Sequence, residues 1–140
     1  MEKIYSKVEE GLLLHVVWRL DDTLNQEGFR TEIIDPDNFI QCSALRMDEG
    51  KTFKPHKHIY KDRHNPRQIA QESWVVISGS VQCVFYDLDD TIIAEPILMA
   101  GDVSFTLHGG HTYKILEDRS VIMEYKTGKY EGQKFDKKFI

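Results

Sequence analysis

Short apolar runs punctuated by Gly and Asp turns recur along this chain, and no window sustains a long period of 3.6 residues. Such a chain buries its apolar side chains by pairing strands, which predicts an antiparallel sandwich or barrel. The expected strands are Gly11 to Leu20, Phe39 to Met47, Ser73 to Ile77, Val81 to Leu88, Thr91 to Met99, Asp102 to Leu107, His111 to Leu116 and Ser120 to Tyr125. Ser78-Gly79-Ser80 reads as the turn of a hairpin between the third and fourth of these. Pro96 predicts an edge position or a strand end. The polar N-terminal segment is the best, though weak, helix candidate. Asp21 to Thr31 and Ile59 to Gln71 read as loops, the second long enough to be functional. The tail from Lys126 to Ile140 is expected to pack back on the barrel or on a second subunit.

The 140 residues predict one domain, 1–140, with 41% hydrophobic and 29% charged residues. That composition excludes disorder of the whole chain. The longest apolar stretch, Leu12 to Trp18, is short and interrupted by His15, so no membrane partner is expected. Glu9, Glu10, Arg19, Asp21 and Asp22 flank it, which does not read as a signal peptide. A net charge of -5 argues against a broad basic face and a nucleic-acid partner. Two cysteines, Cys42 and Cys83, make a poor disulfide framework and point to a cytoplasmic protein with reduced thiols.

His56 and His58 carry the strongest chemical signal. Separated by one residue, they face the same way on an extended strand and can reach one cation. Glu72 and His111, each at the start of a later strand, offer a third and a fourth ligand. Three imidazoles and a carboxylate suit one divalent transition metal: Fe, Mn, Ni, Co or Zn. Alternatives stay open at two positions, Asp62 for Glu72 and His108 for His111. His64 reads as a solvated loop residue and His15 as a packed core residue. Trp74, Phe85, Phe105 and Tyr113 read as core, as does Cys83.

At these residues the chain resembles the cupin superfamily. Gly50, the pair His56 and His58, Glu72 and Gly79 look like the first cupin motif, and Glu72 keeps the motif's spacing of six residues to Gly79. Gly101, Gly109 and His111 look like the second. The resemblance implies an all-β, antiparallel double-stranded β-helix (a jelly-roll, the cupin barrel) with its core at about Phe39 to Lys126. Thirteen residues, Ile59 to Gln71, separate the histidine pair from Glu72, where the family usually has three or four. The second motif also departs, with Leu107 for the usual Pro, His111 one residue early and no following Asn. The chain is similar, more narrowly, to small single-domain cupins of bacterial surface-polysaccharide genes, including WbuC-type metalloproteins.

Lys51, Lys54, Lys57, Lys61, Arg63 and Arg67 reverse the local sign of charge around the histidine pair. They predict a small anionic or sugar-derived ligand, with Arg63 and Arg67 the better oxyanion grips and Arg46 a further candidate. Glu124 and Lys126 share a face of the last strand and, if it faces inward, serve as acid and base beside the metal. The loop Ile59 to Gln71 is expected to act as a lid, and a homodimer is the default assembly. These features fit isomerase-like, epimerase-like or oxygenase chemistry at a metal. A non-catalytic carbohydrate- or anion-binding module and a metal-free sugar-nucleotide epimerase or ketoisomerase are the competing readings.

Overall fold

Two antiparallel sheets hold the chain's apolar side chains between them in a computed structural model that describes residues 1–60 and 69–140. In chain order the elements are β1 (Glu2–Tyr5), β2 (Leu13–Val17), α1 (Leu20–Leu24), β3 (Arg30–Glu32), β4 (Ile40–Met47), β5 (His56–His58), β6 (Glu72–Ser78) and β7 (Ser80–Tyr86). There follow β8 (Ile92–Ala94), β9 (Ile97–Met99), β10 (Val103–Thr106), β11 (Gly110–Ile115), β12 (Ser120–Thr127), α2 (Gln133–Asp136) and β13 (Lys137–Phe139). One sheet runs β10-β6-β12-β4-β3 and the other β13-β5-β11-β7-β8, with β9 also on β7. This is the double-stranded β-helix expected of the sequence. Among the described residues no helix is long and apolar enough to cross a membrane.

The inward rows explain both the core and the site. Leu45 and Met47 of β4, Trp74 and Val76 of β6, Val81 and Cys83 of β7, Tyr113 and Ile115 of β11 and Ile122 of β12 interlock as one buried cluster. Trp74 stacks on Tyr113 with ring centroids 3.9 Å apart. Further along the same strands the inward side chains turn polar: Ser43 and Gln41, Glu72, His111, then Glu124 and Lys126. Register aligns them, because Lys126 stands opposite Glu72 and Gln41, and His111 opposite His56. One end of the barrel is therefore closed by packed apolar side chains, and the other is lined by ionisable ones.

Several expectations change. Ser78-Gly79-Ser80 is not a hairpin turn: β6 and β7 lie in different sheets, and Gly79 (φ 81°) carries the chain across. A Cβ there would run into the Ser120 hydroxyl. The N-terminal segment forms a two-stranded ribbon and no helix, and a short helix, α1, runs instead from Leu20 into the expected Asp21 to Thr31 loop. The ribbon takes up part of the expected first strand, and Val16, with Trp18 just after the ribbon, packs against Ile33 and against Cys42 and Ala44 on the outside of β4. His15 is consequently exposed, as is Phe105, at 68%, on edge strand β10. Pro96 does end a strand, since it separates β8 from β9. The tail packs back on the barrel, β13 pairing with β5.

Candidate metal centre

The short strand β5 brings His56 and His58 inward, with Lys57 between them turned to Asp90 at 2.5 Å. It lies between β11 and β13, so His111 is its neighbour across one ladder and the C-terminal tail its neighbour across the other. The imidazole centroids of His56 and His111 are 4.5 Å apart, and those of His58 and His111 are 5.6 Å apart. Glu72 closes the group from the opposite sheet. Its carboxylate oxygens lie 3.4 Å from His58 Nε2 and 3.2 Å from His111 Nε2.

Outer contacts aim the rings. His56 Nδ1 sits 2.9 Å from the Lys54 carbonyl, leaving Nε2 for the centre. His58 Nδ1 faces Asp136, 3.3 Å from its carbonyl and 3.4 Å from Oδ2. The Trp74 indole donates to Glu72 Oε1 at 3.1 Å. His111 is wedged between the rings of His56 and Tyr113. Fixing the outer nitrogen of a ligating imidazole is what holds its inner nitrogen on a metal.

The four buried residues present ligand atoms that all lie within 4.8 Å of one another. An ion about 2.1 Å from each donor would set neighbouring donors about 3.0 Å apart and opposite ones about 4.2 Å apart. The group thus matches a metal shell after shifts of a few tenths of an ångström. The inner Nε2 atoms of His58 and His111 are buried with only the Glu72 carboxylate near them, out of hydrogen-bond geometry, a costly arrangement that an ion would relieve. The residues present can therefore hold a metal.

Charge is finely divided here. Burial, with His111 and the Lys137 ammonium nearby, depresses His56 to about 4, which leaves it neutral and ready to ligate. Burial also opposes charge on His58, but Asp136 and Glu72 outweigh it and raise that imidazole. Burial would raise Glu72, yet His111 and His58 hold it well below the ordinary range.

Of the group, His56 and Glu72 open into a cavity of about 400 Å³ lined also by Arg30, Glu32, Phe53, Glu124, Tyr130 and Lys137. Glu124 and Lys126 both face inward. Arg30 grips Glu124 with two nitrogens, at 2.7 and 3.2 Å, and reaches Glu32 at 2.6 Å. Burial and the nearby Glu72 raise Glu124 despite Arg30 and Lys126. Lys126 pairs with Asp136 at 2.9 Å.

The remaining expected residues divide. Arg46 is displaced from the site: it points to the outer face of β4, where it donates to the Leu24 and Gln26 carbonyls and ties down α1. It sits on β4 between the inward-facing Leu45 and Met47, so alternation turns it outward. Arg63, Arg67, Asp62 and His64 lie outside the described residues, as does most of the expected lid. His108 is exposed, whereas His111 is fully buried. Sequence reasoning missed Arg30, Glu32, Asp136 and Lys137. Arg30 and Glu32 are the two ends of the short strand β3, which begins within the expected Asp21 to Thr31 loop, and Asp136 and Lys137 lie in a predicted tail. Only the alternation Arg30-Thr31-Glu32 offered a signal.

Fold and site together define a double-stranded β-helix, the cupin fold, with a buried His3Glu group. No family model matches the sequence, and no curated protein matches it. Solved structures do. A Klebsiella pneumoniae protein described as having a double-stranded β-helix domain superposes with a TM-score of 0.59 at 16% identity, over 83% of this chain and 92% of its own. The capsular polysaccharide assembling protein CapF of Staphylococcus aureus gives 0.64 at 21% identity, over 90% of this chain but 34% of CapF. KdgF from Halomonas sp. gives 0.55 at 18% identity, over 73% and 79%. At these identities the likeness is one of fold.

Proposed function

We propose that the protein is a metal-dependent cupin acting on a small anionic, sugar-derived molecule by proton transfer, as an isomerase or epimerase does. The observation that carries this reading is one cavity lined both by His56 and Glu72 of the His3Glu group and by a buried carboxyl, Glu124, raised above its ordinary range. His56, His58, Glu72 and His111 would hold one divalent transition metal. Such an ion would supply a Lewis acid that polarises a substrate carbonyl or hydroxyl oxygen. Glu124, kept in place by Arg30, would take a proton from the substrate carbon and return it. Lys126, fixed by Asp136, would steady charge on the cavity wall. Trp74, Tyr113 and Phe53 would give the substrate an apolar floor and limit water.

The sugar assignment draws support from CapF, a capsular polysaccharide assembling protein that also binds a tropolone inhibitor. It accords with the resemblance to WbuC-type proteins. We take the domain to span 1–140 and the protein to be a cytoplasmic homodimer. The unpaired, buried Cys42 and Cys83 accord with a reducing compartment.

The test is solvent-deuterium exchange by the metal-loaded protein on a panel of sugar nucleotides and sugar acids, followed by mass spectrometry. At least one compound should gain deuterium, and Glu124→Gln should slow the exchange about 100-fold or more with metal content unchanged. As a base Glu124 acts ionised, so the rate should fall as pH drops through a value above 4.5, and Glu124→Gln should lose that limb. No exchange across the panel by fully loaded protein would contradict proton transfer.

A further inference from the structure

Arg30, Lys126 and Lys137 bring positive charge to the cavity, and two of them are already balanced by carboxylates. Arg30 is held by Glu124 and Glu32, and Lys126 by Asp136. Lys137 differs. It is the first residue of β13, paired across the ladder with His58, and its side chain lines the cavity. Its Nζ lies 3.4 Å from His56 Nε2. Among the described residues no carboxylate oxygen comes within 4.0 Å of it. A half-buried ammonium held by one long contact to an imidazole nitrogen, with no carboxylate in ion-pair range, is only partly compensated for its desolvation, and an anion would supply the rest.

The position is more telling than the charge alone. His56 Nε2 is the atom that would bind an ion, so Nζ would give up its contact with Nε2 when the site fills and stand beside the ion. An oxygen bound next to His56 on that ion would be about 3 Å from Nε2, within reach of the same ammonium. Four protein donors would leave two positions on an ion that takes six, and a chelating ligand would fill both. We infer that Lys137 anchors the anionic end of the ligand, and that this ligand is a small carboxylate bearing a second oxygen on the adjacent carbon, bound across the metal and Lys137 Nζ. The inference rests on the metal reading above and deepens it. It also gives the C-terminal tail a role: β13 completes the site.

Titration calorimetry of nickel-reconstituted protein tests this, with oxalate as the chelating probe and acetate as the single-carboxylate control. Nickel is counted by elemental analysis after each titration. Oxalate should bind wild type far more tightly than acetate does. Lys137→Met should weaken oxalate tenfold or more while retaining the same nickel, and Lys137→Arg should restore most of the loss. Equal oxalate affinity in wild type and Lys137→Met would overturn the anchor, and acetate binding as well as oxalate would overturn the chelating ligand. Wild type that retains no nickel would overturn the metal reading, and this inference with it, by a different measurement.

Discussion

Asp136 does two jobs at the residue scale. It faces His58 Nδ1 and it neutralises Lys126, so one carboxylate sets a ligand's orientation and a wall cation's position. Burial would raise it, but His58 and Lys126 hold it well below the ordinary carboxylate range. Asp136→Asn keeps the size and loses the charge. It should lower metal affinity by about 10- to 100-fold in a competition with a chromophoric chelator, the usual effect of losing such an outer partner. Unchanged affinity would mean that the Asp136 carbonyl alone orients His58. Asp136 was invisible to sequence reasoning because its relevance depends on a tail folding back across β5. The histidine pair, by contrast, was legible: two residues apart on a strand fixes a shared face whatever the tertiary fold.

At the scale of elements, the inward rows carry the design. On β4, β6, β11 and β12 each row changes from apolar to polar at one level, which separates core from cavity without a separate domain. That change can be read from a sequence once strand parity is known. It placed Glu124 and Lys126 on one face but left undecided whether that face was the interior, and it left Arg46 undecided too. What the sequence could not show was which strands share a sheet. Ser78-Gly79-Ser80 has the composition of a hairpin turn, yet it links two sheets, because local turn chemistry is blind to long-range pairing. Gly79 is essential to that link, with φ 81° and the Ser120 side chain against its missing Cβ. Gly79→Ala should destabilise the protein by about 2 kcal/mol or more in urea unfolding. A loss below about 0.5 kcal/mol would show that the crossing relaxes easily.

The whole molecule is a barrel with one closed and one chemical end, and the short strand β5 and the C-terminal tail, at one edge of the larger sheet, complete the chemical end. β5 gives two imidazoles, β11 a third, β6 the carboxylate, and β13 an unbalanced ammonium. The metal is the claim on which the rest depends. A buried cluster of three imidazoles and a carboxylate, two of whose inner nitrogens lack hydrogen bonds, is hard to justify as packing alone. The most direct measurement is elemental analysis of untagged protein after metal reconstitution, wild type beside His56→Ala/His58→Ala. About one equivalent of a divalent transition metal is expected in wild type and almost none in the double variant, with both proteins folded by circular dichroism. Wild type that stays metal-free after reconstitution, or a double variant that holds as much as wild type, would contradict the claim.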